Sequence, residues 1–430
     1  MIDNIKNILS TIDVDGWKII ETKTKSTELF FVKKELDMNR GKDVHHIKVF
    51  VYKDFVEDNT KYKGSSSTNI SPTMDDTEIK EKLEDAAFAA TFVKNEYYPL
   101  VKPVDMDVKN MNSTSRPISE WVNGLVDGIF KYDTLEKGSI NSSELFINDV
   151  STRIVNSEGV DVSYEGYEGQ LEFITNWTED GEEIELYRDI KFSDYNPDYL
   201  SEEVNHMLNM SKEKAMATNT PNLEKQTILL TGEPVKEFFN YYYQRANTRA
   251  IYEQISTEKL NESIQGDSIN GDLVTIKLDP VMNNSSKSKP YDNDGLPLKE
   301  VTIIKDGILK SYWGNTRFSS YLDIEPTGDI ENIVVEGGSK SVEDFKKEPY
   351  LELLAFSDFQ VNPITGDFAG EIRLGRYFDG EKTIPVSSGS ISGNIKEVQK
   401  NMYLSKEINQ DNNFIGPKTI QLFDIDISGS

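Results

Sequence analysis

The three histidines are the first residues to examine for chemistry, because imidazole is the commonest side-chain ligand of a metal ion. His45 and His46 are adjacent in a segment that reads as a strand, where neighbouring side chains point to opposite faces, so they cannot chelate one ion together. Glu203 and His206 have the Glu-x-x-His spacing of di-iron bundles, but such a bundle needs two copies and the sequence has one. We interpret His206 as solvent-exposed and expect neither a metal ion nor a cofactor.

Three further segments match catalytic motifs only in part. Residues 375–383, GRYFDGEKT, approach a phosphate-binding loop, but Glu381 interrupts the Gly-Lys pair and Pro385 stands where a helix should continue. In SSGSISGN the residue at the nucleophile position is Ile391, so the Gly-x-Ser-x-Gly motif is not met. The stretch YDNDGLP lacks the spaced ligands and the final glutamate of a calcium loop, which favours a turn. No catalytic constellation follows from the residues alone.

The composition limits the class of protein. The 430 residues carry a formal charge of −27, and no basic stripe reverses it locally, so we expect no nucleic-acid partner. Cysteine is absent, which excludes disulfides, thiolate metal ligands and a cysteine nucleophile within this chain. No apolar run approaches the ~20 residues of a membrane helix, and the first residues do not read as a secretory signal. We therefore predict a cytoplasmic protein with no membrane contact.

Hydrophobic periodicity divides the chain into three predicted domains. Residues 1–110 read as an α/β domain with helices on a sheet, and a polar, proline-containing stretch, 99–116, reads as a linker. Residues 111–222 read as a central domain that begins with an amphipathic helix and continues as an antiparallel meander. Residues 223–430 alternate strands and turns, which predicts a mostly antiparallel, barrel-like domain. The predicted fold class is α+β.

Several local signals fix individual elements of this prediction. Asp75 and Glu78 have the spacing of a capping box at a helix start. Ser201 is the predicted N-cap of the helix that carries His206. Asp306 and Gly307 supply the positive φ angles of a two-residue hairpin turn.

The segment 232–249, GEPVKEFFNYYYQRANTR, places five aromatic rings within six positions of a predicted helix. Helical periodicity puts Val235, Phe238, Phe239 and Tyr242 on one face, which is typical of a face that packs into a core. The excess of aromatic surface in so polar a chain is also typical of the wall of a site. Both interpretations stay open at this point.

Three phrases along the chain resemble the TldD/PmbA family. Residues 148–173 are similar to its x-Arg-x-x-Asn-Ser-x-Gly strands, and residues 291–322 to its acidic-Asp-Gly … Gly-x-Leu … Thr-x-x-Ser/Ala stretch. Residues 370–397 are similar to its late strand pair, which ends in a Ser-Gly-Asn turn. The resemblance covers roughly residues 20 to 425 in the family's order. An older label describes the family as modulators of DNA gyrase, a role that we take as indirect because of the charge of −27.

The resemblance implies a metallopeptidase assembled from two related subunits. The catalytic type carries H-E-x-x-x-H on a helix and a late cysteine, whereas the PmbA/TldE type lacks these ligands and pairs with the catalytic one around a peptide tunnel. The family's histidine positions fall near Asn240 and Arg245, and its glutamate near Tyr241. An amide, a guanidinium and a phenol cannot hold zinc or act as the carboxylate base. The chain therefore resembles the PmbA/TldE type, with degenerate metal-site positions Asn240, Tyr241 and Arg245.

These observations lead to one main hypothesis and two alternatives. The main hypothesis is a subunit, inactive by itself, that pairs with a zinc-bearing TldD-like partner in the proteolysis of small or unfolded peptides, with Phe238, Phe239 and Tyr242 as candidate side chains of the peptide cleft. The first alternative is a stand-alone homodimer that binds peptides or proteins without cleaving them. The second is an autonomous peptidase with unfamiliar catalytic groups.

Overall fold

The computed structural model describes residues 1–109, 111 and 116–429. The predicted linker, 99–116, therefore lies partly outside the described residues. Residues 97–109, which follow the first four strands, form no helix or strand. Lys109, the last of them, forms an ion pair with Asp279 at 2.9 Å. The fold class is α+β, as predicted from the sequence.

The first sheet contains seven strands in the order β4-β3-β2-β1-β5-β6-β7, and all neighbours are antiparallel. The strands are β1 Gly16–Val32, β2 Glu35–Glu57, β3 Thr60–Ile70, β4 Asn95–Glu96, β5 Gly138–Asn156, β6 Asp161–Glu179 and β7 Glu182–Phe192. Pairing of β1 with β5 joins the predicted domains 1–110 and 111–222 into one sheet. The predicted boundary at residue 110 therefore does not separate two sheets.

Four helices cover one face of this sheet. They are α1 Ile2–Leu9, α2 Asp76–Ala90, α3 Trp121–Phe130, which follows a 3₁₀ turn at Ile118–Glu120, and α4 Pro197–Ala215. Helices α1 and α2 pack on Ile19, Val49 and Val155, which are direct cross-strand partners. Helices α3 and α4 pack on Leu145 and Leu171, which are partners further along the same strands. The second half of the chain packs on the opposite face.

The local helix signals are confirmed in one case and corrected in another. The Asp75 carboxylate accepts hydrogen bonds from the first turn of α2 while Glu78 accepts one from the Asp75 N–H, which completes the predicted capping box. Helix α4 begins earlier than predicted, because Asn196 is its N-cap and accepts from the Tyr199 N–H at 3.0 Å. Ser201 lies inside the helix and donates to the Pro197 carbonyl, so its predicted capping role is wrong.

The second half of the chain contains a ring of strands and a smaller sheet. Its strands are β8 Thr218–Asn219, β9 Leu223–Thr231, β10 Ile276–Leu278, β11 Val301–Lys305, β12 Ile308–Leu309, β13 Ile333–Val335, β14 Tyr350–Val361, β15 Asp367–Phe378, β16 Thr383–Ser387, β17 Ser390–Asn394, β18 Tyr403–Leu404, β19 Ile408–Asp411, β20 Phe414–Pro417 and β21 Thr419–Ser428. Its helices are α5 Glu233–Arg245, α6 Thr248–Tyr252, α7 Thr316–Tyr321, α8 Val342–Phe345 and α9 Ile395–Val398.

The strand pairings close a barrel, as the sequence predicted. The order β14-β9-β21-β17-β15 runs through one sheet, and an additional pairing of β14 with β15 closes these five strands into a ring. Strand β16 and the short β8 extend the sheet outside the ring, and β18 pairs with β21. A six-stranded sheet of order β12-β11-β10-β13-β20-β19 lies beside it. The predicted turn at Asp306 and Gly307 joins β11 to β12 with φ angles of 48° and 75°.

Helix α5 connects the ring to the six-stranded sheet. The Phe238 ring contacts that of Phe368 on β15, with 6.4 Å between ring centroids, while Phe239 stacks on Phe414 of β20 at 6.0 Å. Phe238 and Phe239 are both fully buried. Because the two sheets share no strand, these aromatic contacts fix their relative position.

The second half of the chain packs on the open face of the first sheet through a polar junction. Lys18 of β1 forms an ion pair with Asp294 at 2.5 Å. The neighbouring Asp292 is fully buried; its Oδ1 accepts the backbone N–H groups of Asp294 and Leu296, whereas its Oδ2 has no partner in the described part of the chain. Burial, and next the Asp294 charge, raises the pKa of Asp292 to about 7.

We expect Phe239→Ala to lower the free energy of unfolding by about 3–5 kcal/mol, because it removes a fully buried ring and leaves a cavity. Phe88→Ala is the matched control, since that ring is 67% exposed on α2 and its loss should cost less than about 1 kcal/mol. Urea unfolding of both variants measures the difference. Equal losses would contradict the central position of α5.

We expect Asp292→Asn to change how stability depends on pH. The raised pKa means that the folded protein retains a proton that the unfolded chain releases, so this carboxyl stabilises the fold at low pH and the contribution is lost as the pH rises through about 7. Asparagine cannot ionise, so the variant should gain stability relative to the wild type as the pH rises from about 4 to about 7. Urea unfolding across that range would contradict the assignment if both proteins gave parallel curves.

Candidate functional site

Helix α5 is preceded by a backbone conformation that only glycine adopts readily. Gly232 has a φ of 81° and turns the chain from β9 into the helix, and Pro234 occupies the first turn, where its missing N–H costs nothing. The helix ends at Arg245, whose charge is favourable at the negative end of the helix dipole. The predicted helix is thus confirmed over Glu233–Arg245.

The three aromatic residues predicted as candidate cleft-lining side chains are core residues. Phe238, Phe239 and Tyr242 are 0% exposed, so their rings have no free surface with which to line a cleft. The Tyr242 hydroxyl donates to Gln399 Oε1 at 2.8 Å, which satisfies its one polar group inside the core. The cleft-lining interpretation is corrected in favour of the core face, because the helix lies between two sheets instead of at a surface.

Of the three positions proposed as a degenerate metal site, Tyr241 and Arg245 are buried and Asn240 is not. Arg245 is nearly buried and directs Nε and Nη2 to Glu258 Oε1, at 2.8 and 2.5 Å. Its Nη1 donates to the Ile364 carbonyl at 3.3 Å. Tyr241 lies between the same loop and Arg245, and its ring is 5.6 Å from the guanidinium. Asn240 is only half-buried, with the side chain of Gln244 at 3.5 Å.

Above these positions is an open cleft of about 1020 Å³. Its walls are the turn between β14 and β15 and the end of β17, and they include Asn362, Ile364, Asp367, Asn394 and Glu397. Asn394 Nδ2 donates to Asp367 Oδ1 at 2.7 Å. Hydrogen bonds from Thr365 and next from Asn394 lower the pKa of the Asp367 carboxyl. The cleft therefore combines ionised carboxylates, side-chain amides and the apolar side chain of Ile364.

The loop that lines the cleft rests directly on the side of α5 that carries Tyr241 and Arg245. A Cβ atom on Gly366 would lie 3.4 Å from both Tyr241 and Asn394, so loop, helix and cleft wall meet at this glycine. Gly366 also has a φ of 84°, which disfavours any other residue there. The structure thus places Tyr241 and Arg245 against the loop that lines the cleft, whereas the Asn240 side chain pairs with Gln244 on the same helix.

The arrangement suits hydrogen bonding to a peptide better than metal chemistry. Within residues 1–109, 111 and 116–429, no group of three or more histidine, aspartate or glutamate side chains is placed to hold a metal ion. His45 bonds to Glu21 at 2.8 Å on the first sheet, and His206 lies exposed on α4. Amide and carboxylate groups around a partly apolar cleft can pair with backbone N–H and C=O groups of an extended chain.

Sequence reasoning missed the partners of Arg245. Glu258 is 13 residues further along the chain, beyond α6, a separation that no helical or strand period relates to Arg245. The Ser-Gly-Asn phrase, in contrast, was a usable signal, because its asparagine is Asn394 on the cleft wall.

A known protein family matches the C-terminal half of the chain, which contains α5 and the cleft. Residues 223–429 match the model of the PmbA/TldA metallopeptidase C-terminal domain. The C-terminal half of the chain is thus a TldD/PmbA-family domain. That match begins at β9 and includes α5, the cleft and the complete ring of strands.

Curated relatives align over limited parts of their length. The chain is 32% identical to the metalloprotease PmbA of Escherichia coli O157:H7 over 143 residues, which are 32% of each chain. It is 26% identical to an uncharacterized protein of Methanocaldococcus jannaschii over 167 residues, 36% of this chain and 40% of the relative. The chain thus spans well under two thirds of the relatives that it matches in sequence.

Solved structures share the complete fold. TldE from Thermococcus kodakarensis superposes with a TM-score of 0.79 over 100% of both chains, at 17% identity. A Thermotoga maritima protein, described as a proposed modulator of a DNA gyrase, gives a TM-score of 0.77 over 99% of both chains, at 16% identity. At such low sequence identities, the superpositions establish only that the chain shares the fold of these proteins. No helix in the described ranges is long and apolar enough to cross a membrane.

We expect Arg245→Ala to lower the free energy of unfolding by about 2–4 kcal/mol, because it leaves the Glu258 carboxylate without its buried cation. Arg249→Ala is the matched control: its pair with Glu253 is exposed and should contribute less than about 0.5 kcal/mol. Urea unfolding of the two variants tests this. A loss for Arg245→Ala no larger than the control's would contradict a stabilising role of the buried ion pair.

Proposed function

We propose that this TldD/PmbA-family chain is a subunit without its own zinc site, which pairs with a zinc-bearing TldD-like subunit and helps to hold peptides for cleavage. The observation that carries the proposal is the buried Arg245–Glu258 ion pair on α5. The resemblance implies that catalytic, TldD-type subunits hold their zinc ion on the helix that corresponds to α5. Here a fixed positive charge occupies that side of the helix.

The chemistry of the three positions supports this role. A guanidinium carries a positive charge and repels a divalent cation. Burial raises the pKa of the Tyr241 phenol, which keeps it neutral and unsuited as a metal ligand. The Asn240 amide is a poor zinc ligand, and the chain has neither a cysteine nor a histidine after His206.

The cleft above α5 supports the peptide-holding part of the proposal. Its amides can pair with a peptide backbone of any sequence, whereas Asp367 and Glu397 favour positively charged residues of the peptide. The fold that the chain shares with Thermococcus kodakarensis TldE is consistent with a subunit of the TldE type.

The test is co-expression with a TldD-like protein that carries H-E-x-x-x-H. Three samples are compared: this chain alone, the partner alone and the pair. Size-exclusion chromatography with light scattering gives the assembly, metal analysis gives the zinc content, and a fluorescence-quenched peptide of about eight residues reports cleavage. We expect a heterodimer with zinc and activity that exceeds that of either chain alone.

A matched control fixes the origin of the activity. Replacing the motif glutamate of the partner by glutamine should abolish cleavage while the heterodimer still forms, since that glutamate is the general base. Stoichiometric zinc and cleavage by this chain alone would overturn the proposal in favour of an autonomous peptidase. A homodimer that binds the peptide, ignores the partner and cleaves nothing would establish the stand-alone binding module instead.

A further inference from the structure

A second, smaller cavity lies where the first sheet meets the C-terminal half of the chain. We call it the interface cavity; its volume is about 220 Å³, and it is lined by residues of β1, β2, β3, the segment after β4 and the start of α7. Its side chains include Lys18, Phe50, Tyr52, Tyr98 and Arg317. It shares no lining residue with the cleft above α5.

Arg317 contributes an uncompensated positive charge to this cavity. Its Nη2 donates to Asn95 Oδ1 at 2.7 Å and its Nε to the Tyr321 hydroxyl at 3.1 Å, both of which are neutral groups. Its guanidinium also lies 5.7 Å from the centre of the Tyr98 ring. In the part of the chain that the structure describes, no carboxylate forms an ion pair with Arg317, and its Nη1 has no hydrogen-bond partner. A guanidinium held by neutral groups leaves one donor edge for an anion.

The other charges of the cavity cancel each other. Lys18 is nearly buried, and its ammonium is paired with Asp294 at 2.5 Å. Asp294 is thereby occupied and is a poor partner for a cationic ligand. The lining consequently keeps the single net positive charge of Arg317, in a chain whose formal charge is −27. A local excess of positive charge in an acidic protein favours an anion at this place.

The residue before Arg317 carries an unpartnered hydroxyl. Thr316 precedes Arg317 in the chain and also lines the cavity; the residue is only 9% exposed. Its Oγ1 is buried and has no hydrogen-bond partner among the described residues. A buried hydroxyl without a partner is unfavourable, and a ligand oxygen that accepts its proton would remove that cost.

The remaining walls are aromatic and apolar. Phe50, Tyr52 and Tyr98 supply rings, and Pro99 to Val101 supply aliphatic surface. The volume of 220 Å³ corresponds to about seven water molecules, so the ligand has the size of one amino-acid residue.

We propose that the interface cavity binds a small carboxylate with an aromatic or apolar body. The carboxylate pairs with Arg317 and accepts from the Thr316 hydroxyl, while the body lies against the three rings. A free acid and the C-terminal residue of a peptide both present this chemistry. The site is independent of the function proposed for the cleft.

Calorimetric titration with 3-phenylpropionate tests the proposal, with the neutral isostere 3-phenylpropanamide as matched probe. We expect the acid to bind, and the amide to bind about 10-fold more weakly or worse, because it loses the charge-assisted hydrogen bonds. N-acetylglycyl-phenylalanine and its C-terminal amide form the second pair of probes. Tighter binding of this acid than of 3-phenylpropionate identifies a peptide end as the source, and weaker binding identifies a free acid.

Variants locate the site. Arg317→Gln should weaken 3-phenylpropionate binding about 10- to 100-fold, whereas Arg249→Gln removes an exposed arginine that lies over the same Phe318 ring and should leave it unchanged. Thr316→Val keeps the branched shape, removes the unpartnered hydroxyl and should weaken binding a few-fold with no loss of thermal stability. Equal binding of acid and amide, no binding of either at 10 mM, or unchanged binding by both site variants would each overturn the proposal.

Discussion

Helix α5 buries three aromatic rings between strands that come from distant parts of the chain. Phe238 meets Phe368 on the closed ring, Phe239 meets Phe414 on the six-stranded sheet, and Tyr242 reaches Gln399 after α9. Each fully buried ring contributes several kcal/mol, so a displacement of the helix would be opposed on both sides at once. The position of the cleft loop depends on this, since Arg245 holds the Ile364 carbonyl from the same helix.

The first sheet presents its two faces to different neighbours. One face carries four helices and is closed by apolar packing, whereas the other carries Lys18, Phe50 and Asn156, which are cross-strand partners. This second face meets the C-terminal half through ion pairs, hydrogen bonds and rings. A polar junction of this kind leaves room for a cavity with charged walls, which a close-packed aliphatic contact would not.

The elements that depend on neighbouring residues could be predicted from the sequence. The capping box at Asp75, the turn at Asp306 and the helix over residues 233–245 each follow from side chains within a few positions. The pairing of β1 with β5 could not, because more than 100 residues separate the strands and no turn relates them. Asn196 and Ser201 are both suitable caps, and only the tertiary position of α4 selects the first.

The same distinction holds for the site. Periodicity placed Phe238, Phe239 and Tyr242 on one face of α5 but left open whether that face was core or the wall of a site, and their complete burial decided for the core. The partner of Arg245 depends on the path of the chain through α6, which leaves no mark in the spacing of residues. Phe368 separates Phe238 from the cleft, and only the strand register could show that.

The closed ring of strands has a consequence for the order in which the molecule forms. Strands β9 and β21 are neighbours, and Thr231 on one meets Thr419 on the other across 188 residues of sequence. Bringing such distant strands together has a large entropic cost before any contact compensates it, so ring closure belongs to the slow, late events of folding. A ribosome delivers the aromatic rings of α5 well before β21. Until that strand arrives, the aromatic face of α5 lacks its complete barrel, and this interval is when aggregation competes with folding.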